Sequence, residues 1–357
     1  MNEGSLIIGQ DDLAAILQIA GRDALMDTMI ECLHSAFVDA ADGGPDTPVR
    51  DGFRRGQDGS SVLEWMPHHD PGRCVTIKTV AYTPGNPQER GLPTILGVVT
   101  RFDDVTGGLV AVSDGVLLTA LRTGAASAVA SRLLAVPDSR VVGLIGAGAQ
   151  AVTQLHALSR VFELDRVLLH DINSGHAESF LERVAFLDLD VRLASVRAIE
   201  ESCDIICTAT SVPIGGGPVL PGVALRPHAH LNAIGSDLPG KTELPLALLR
   251  RARVCPDHLG QARREGECQQ LHDADIGPDL VTLCAHPELA ARYRQGLTVF
   301  DSTGFALEDH VALTVILEYA AKLGVGRRVK VEFMPADALD PYASGPASGE
   351  RAMAGQP

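Results

Sequence analysis

The stretch Val141-Val142-Gly143-Leu144-Ile145-Gly146-Ala147-Gly148-Ala149-Gln150-Ala151 decides the fold. An apolar run leads into a glycine turn. A helical pattern opens behind it, with Val152, Leu155 and Leu158 on one face. A second apolar run, Val167-Leu168-Leu169-His170, ends in Asp171. Strand, glycine turn, helix, strand and acid in that order are the context of a dinucleotide-binding βαβ unit. Gly146 allows the tight turn, Gly148 lets the backbone approach a pyrophosphate, and Ala151 supplies the third small position, where helix and strand pack. The free amides of the helix N-terminus favour phosphate. Asp171 lies 25 residues after the first glycine, against about 20 in the fingerprint. Its carboxylate suits a ribose 2′-OH and repels a 2′-phosphate, so NAD is expected rather than NADP.

Around this unit the chain is long and acidic. Its 357 residues, 45% of them hydrophobic, suffice for about two domains. The formal net charge of −15, with no basic patch, argues against nucleic acid or an anionic membrane surface as partner. Met1-Asn2-Glu3-Gly4 leads straight into the strand-like Leu6-Ile7-Ile8, and no apolar stretch reaches membrane-span length. A cytoplasmic location is therefore expected. The seven cysteines (32, 74, 203, 207, 255, 268 and 284) are scattered and lack a second pair at zinc spacing, so buried, reduced thiols are expected.

Residues 11–42 read as helical, then Asp42-Gly43-Gly44-Pro45 breaks the pattern. Residues 50–115 alternate short strand-like runs with Pro/Gly/Asp turns and predict an antiparallel sheet or barrel. A helix rich in small residues covers 116–135, and a parallel α/β region runs from about 139 to about 305, with strands at 205–208 and 231–234. A helix at 308–323 crosses back. The expected fold is α/β: a Rossmann NAD-binding domain at 136–307, and an α/β substrate-binding and dimerisation domain at 1–135 with 308–335. Residues 336–357, rich in Ala, Gly and Pro, read as a flexible tail.

Further segments carry chemistry. Gly235-Ser236-Asp237 follows a strand, where ligands of open α/β sheets lie, so Asp237 can meet a substrate; it reads equally as a helix cap. Arg122-Thr123-Gly124-Ala125 at a helix start can hold an anion by guanidinium and backbone amide, or be a solvated surface arginine. Glu64 and Met66 share a strand face that suits an amine on an aliphatic stem, or belong to a half-wet edge strand. Phe300-Asp301-Ser302-Thr303-Gly304 is a polar turn able to close over a nicotinamide, or a plain loop. His68-His69-Asp70 is not read as a metal site, because adjacent histidines on a strand point to opposite faces; no metal is expected.

Together and in this order, these segments resemble the ornithine cyclodeaminase/mu-crystallin family over about residues 5–330. The most specific parts are Arg122–Ser127, Gly146–Gln150, Gly235–Leu244 and Glu265-Gly266-Glu267-Cys268-Gln269-Gln270. Within the family the chain is most similar to the lysine cyclodeaminases, through Glu64-Trp65-Met66-Pro67-His68, Gly91–Gly97 and Phe300–Phe305. The resemblance implies that NAD⁺ takes a hydride from the substrate Cα and returns it after ring closure and ammonia loss, converting L-lysine to L-pipecolate. It implies that Arg50, Lys78 and Arg122 hold the substrate carboxylate, that Asp237 is the acid/base, and that Glu64 and Met66 line the side-chain amine pocket. Gly146, Ala147, Gly148, Ala149, Gln150, Asp171 and Lys241 would bind NAD, with Thr94, Thr123, Thr208 and Thr303 close to it. A homodimer is implied as well. Ornithine cyclodeamination to proline, a related amino-acid dehydrogenase or ketimine reductase, and a non-catalytic mu-crystallin-like carrier are the alternatives.

Overall fold

The protein was analysed as a computed structural model that describes residues 4–41, 43, 47–56 and 59–343. The strands, in chain order, are β1 (Ser5–Ile8), β2 (Asp51–Arg55), β3 (Ser61–Asp70), β4 (Cys74–Tyr82), β5 (Ile95–Asp103), β6 (Leu109–Asp114), β7 (Val141–Ile145), β8 (Arg166–His170), β9 (Val191–Leu193), β10 (Ile205–Thr208), β11 (His230–Ala233), β12 (Arg253–Pro256), β13 (Thr298–Asp301) and β14 (Arg327–Val329). They form two seven-stranded sheets.

The first sheet has the order β14-β1-β6-β5-β4-β3-β2. Its pairs are antiparallel except β1 with β6. Burial alternates strictly along most of β4, so one face is core and the other is not. The second sheet has the order β12-β13-β11-β10-β7-β8-β9 and is parallel throughout. Strands β10, β11 and β13 are buried at every residue, as strands covered on both faces are, even though β11 and β13 carry His230, Asn232, Thr298 and Asp301 among their apolar residues. Strands β8 and β10 flank β7 on opposite sides, so the chain reverses direction across the sheet at β7. The crevice beyond the ends of β7 and β10 is the ligand position of such a sheet.

The predicted helical stretch at 11–42 is two helices, Gln10–Ala20 and Arg22–Ala40. Gly21 between them has φ +83, a conformation other residues rarely adopt, and it turns the chain there. Residue 42 lies outside the described residues. The helix Val116–Leu134 is buried on nearly every side because its small residues permit close approach. A Cβ on Gly124 would stand 2.5 Å from the Thr153 carbonyl oxygen of the neighbouring helix Ala149–Val161. A single apolar cluster runs from Ile8 through this helix to Phe300 and ties the sheets together. The crossing helix begins at Ala306, two residues earlier than the sequence pattern suggests, and ends at Leu323. It packs on β3 and β4, and β14 then closes the chain onto β1. Residues 336–343 of the expected tail form turns; 344–357 lie outside the described residues.

Candidate active site

β7 ends at Ile145, and Gly146 turns the chain with φ +99. A Cβ there would lie 2.5 Å from the Ala209 carbonyl oxygen. Gly148 differs: a Cβ would meet nothing within 4 Å, and the residue caps the helix Ala149–Val161 without a side-chain cap or an acid in the first turn. The amides of that helix start are thus left to an outside acceptor, and Gly148 and Ala149 are exposed to it, with Gln150 half-buried. Ala151 is wholly buried, as packing requires. Asp171 follows β8. One of its oxygens accepts from the Ala147 amide at 2.7 Å, the other from the Asn173 amide at 2.8 Å. The donors and the open space suit the diphosphate of a dinucleotide, and Asp171 suits its ribose hydroxyls, since a carboxylate accepts from several donors.

The loops after β10 and β11 complete the crevice. Glu243, fully buried, accepts from Thr208 Oγ1 at 2.6 Å and from the Thr210 and Gly235 amides at 2.8 Å each, which pins one loop against the other. Asp237 caps no helix; the next helix begins at Leu246. Its Oδ1 accepts from Lys241 Nζ at 2.8 Å, and that ammonium stands 5.1 Å from the centre of the Tyr82 ring. Burial opposes the charge on Lys241 most, but Asp237, Tyr82 and Glu243 together outweigh it and the pKa is raised to about 12.

Beside this crevice lies a buried group of charges from distant segments. Lys78 on β4 pairs directly with Met66 on β3, and Glu64 faces the same way, so the shared face holds in three dimensions; β3 is flanked by β2 and β4 and is not an edge strand. Met66 packs with Val80 and Ala306. Arg50 is 8% exposed. Its Nε lies 2.6 Å from Glu265 and its Nη1 3.4 Å from Glu64, while Nη2 donates to the Thr303 carbonyl at 2.5 Å. These anions hold the guanidinium charged against the cost of burial, and its pKa is raised. Arg122 is not at a helix start: it lies inside Val116–Leu134, so its own amide belongs to the helix ladder and only the guanidinium is available for an anion. Nor is it solvated. Its Nη1 donates to Glu308 at 2.7 Å and its Nε to Asp309 at 3.3 Å. Lys78 Nζ donates to the same Asp309 oxygen at 3.0 Å.

The threonines expected near the cofactor are placed unevenly. Thr208 gives its proton to Glu243, Thr303 to Asp257 at 3.0 Å and Thr123 to the Thr119 carbonyl at 2.7 Å. Their hydroxyls therefore retain acceptor capacity only. Thr94 precedes β5, and its carbonyl accepts from the Thr83 amide, beside Tyr82. Asp301 of the polar turn is fully buried and accepts from the Glu267 and Cys268 amides at 2.8 Å each, so it ties the turn to Glu265–Gln270.

His68 and His69 do face opposite ways: His68 is buried beside Thr47, and His69 pairs with Asp104. Asp70, Cys74 and His310 gather potential ligand atoms within 4.8 Å of one another. His310 Nδ1, however, lies 2.9 Å from Thr76 Oγ1 and 3.3 Å from Arg101 Nη2.

The sequence reading gave no role to Asp257, Glu308 or Asp309, and quoted Glu265 only as part of a motif. Asp257 had a usable signal, since it directly follows β12 at the ligand end of a parallel sheet. Glu308 and Asp309 open a helix, where acids are ordinary, and that local reason hides them.

Residues 11–323 match the sequence profile of the ornithine cyclodeaminase/mu-crystallin family. The L-lysine cyclodeaminase of Streptomyces rapamycinicus is 52% identical over 338 residues, covering 94% of this chain and 98% of its own. A solved lysine cyclodeaminase, determined for its recognition of L-lysine, L-ornithine and L-2,4-diamino butyric acid, superposes with a TM-score of 0.93 at 54% identity, covering 95% of this chain and 99% of the other. An archaeal alanine dehydrogenase dimer with bound NAD gives 0.81 at 29% identity, covering 92% and 99%. With its glycine loop, its Asp237 loop and its buried arginines in place, the chain belongs to the ornithine cyclodeaminase/mu-crystallin family.

Proposed function

We propose that this chain is an NAD-dependent cyclodeaminase that converts L-lysine to L-pipecolate with release of ammonia. The observation that carries the reading is the conjunction of an open dinucleotide loop with a charge cluster in which buried Arg50, Lys78 and Arg122 stand beside half-buried Glu64 and Asp237. The relative that is 52% identical over nearly the whole chain supports lysine as substrate.

The glycine loop, Asp171 and Lys241 would hold the cofactor, which would supply a hydride acceptor for the substrate Cα and be regenerated in each turnover. Arg50, Lys78 and Arg122 orient the α-carboxylate and thereby the Cα–H bond. Asp237 takes the proton from the α-amine as the imine forms, and returns one as ammonia departs. Glu64 holds the side-chain amine within reach of that imine, and the Met66 face excludes water that would hydrolyse it. Ornithine is one methylene shorter, a difference worth about 1–3 kcal/mol in an apolar pocket.

Residues 136–307, which carry the parallel sheet, would bind the cofactor, and 1–135 with 308–335, which carry the other sheet, would bind substrate and dimerise. Leu96, Val98 and Val110 on the sheet face away from the helices, and Phe53 near its edge, are all exposed, which supports a homodimer joined sheet to sheet. No helix among the described residues is long and apolar enough to cross a membrane, in keeping with a cytoplasmic enzyme.

The purified protein with NAD⁺ and L-lysine or L-ornithine tests this by mass spectrometry and absorbance. A cyclic product lacking one nitrogen, without NADH accumulation, is expected, and the faster substrate identifies the specificity. Stoichiometric NADH points to a dehydrogenase, and ligand binding without product to a carrier.

A further inference from the structure

We propose that Asp309 is a positioning residue of the carboxylate pocket: its Oδ1 holds Lys78 Nζ and Arg122 Nε together, so that two cations from separate elements act as one anion-binding pair. The inference deepens the function proposed above and rests on Lys78 and Arg122 holding the substrate carboxylate.

Lys78 comes from β4, Arg122 from the helix Val116–Leu134 and Asp309 from the helix Ala306–Leu323. Lys78 is 2% exposed and Arg122 5%, while Asp309 is fully buried. Two cations this close and this dry repel each other, and an unpaired buried charge is costly. One carboxylate oxygen between them, at 3.0 Å from Nζ and 3.3 Å from Nε, removes the repulsion and sets their spacing. Glu308 takes the far side of the same guanidinium at 2.7 Å. Acids at a helix start need no such inward contact to serve the helix dipole. Asp309 Oδ2 is buried without a hydrogen-bond partner among the described residues, which a purely structural acid rarely tolerates.

The charges acting on Lys78 come from three segments: Asp309 and Glu308 from their helix, Arg122 from the facing helix and Arg50 from the segment before β2. Burial lowers its pKa most, Asp309 is the strongest opposing charge and both arginines lower it further, leaving it at about 8. Glu308, its own pKa raised to about 8 by burial, titrates in the same range. Without Asp309 the Lys78 proton is lost at lower pH.

The test is Asp309→Asn in the presence of saturating NAD⁺, with L-lysine kinetics followed from about pH 6 to about pH 9. KM is expected to rise about tenfold to a hundredfold near pH 8, with kcat within about threefold. The loss of kcat/KM with rising pH should begin about one pH unit below that of the unsubstituted protein. Asp309→Glu keeps the charge and should bring the pH limb back while KM stays raised. A loss of kcat/KM equal at every pH, or an unchanged KM, overturns the proposal. Should Asp309→Asn fail to bind NAD⁺ and so prove misfolded, Asp309→Glu decides alone: an unchanged KM rejects the proposal, a raised KM with an unmoved pH limb supports it. Lys78→Met separates the two layers. If it leaves KM unchanged, the carboxylate assignment itself is wrong. If it raises KM while Asp309→Asn moves nothing, only the role of Asp309 is wrong.

Discussion

The glycine loop and the charged pocket meet their partners at very different distances along the chain. Ala147 bonds to Asp171, 24 residues away, and Gly146 to His170 of the same βαβ unit. Lys78 finds Asp309 231 residues away, Arg122 finds Glu308 at 186 and Arg50 finds the Thr303 carbonyl at 253. The loop works with backbone amides and open space, so its residues are small. The pocket works with paired side-chain charges, and each pair must be assembled by the fold. Removing one member of such a pair leaves a buried charge alone, a cost that the backbone of the glycine loop does not carry.

That contrast can be broken experimentally. The largest effect is expected at Asp237→Asn, which removes the proposed proton carrier while keeping its shape: kcat should fall about 10²–10⁴-fold with NAD affinity nearly intact. A parallel loss of NAD binding would mean that the pair Asp237–Lys241 belongs to the cofactor site instead. Next, Asp171→Ser should weaken NAD by about 10–100-fold and narrow its advantage over NADP, as titration of both cofactors would reveal. An unchanged preference would assign Asp171 to the loop amide alone. The smallest effects sharpen the loop itself. Gly146→Ala forces a side chain into a positive-φ turn against Ala209 and should cost about 1–3 kcal/mol of stability, read as a lowered Tm. Gly148→Ala meets no protein atom, so Tm should hold while NAD binds about tenfold more weakly. Equal behaviour of the two variants would remove the distinction between a turn glycine and an approach glycine.

Much of the parallel sheet could be read before any coordinates. Apolar runs with both faces buried, glycines at fixed offsets and the acid after β8 are local signals. The same holds for Glu64 and Met66, which strand alternation alone puts on one side, whereas Lys78 opposite Met66 required the β3–β4 register. Residues 11–42 read as helical in two runs of apolar spacing, and only the turn at Gly21 between the two helices needed the structure. The reading went astray where two local explanations competed. Arg122 precedes small residues and resembles an anion-binding helix start, yet the helix begins at Val116.

By itself the sequence determined the α/β class, the strand–glycine turn–helix unit followed by Asp171, the loop after β11 that carries Asp237, and the family resemblance. Each rests on residues that are neighbours along the chain or related by a fixed period. Only the tertiary structure decided that Lys241 faces Asp237 over Tyr82, that Asp257 holds the Thr303 turn, and that Glu265, Glu308 and Asp309 are the counter-ions of Arg50, Arg122 and Lys78. Apart from Asp237 and Lys241, which are four residues apart, these contacts join segments 46 to 231 residues apart, and which group meets which depends on distances of a few ångströms. Residue type and spacing carry no information about such distances.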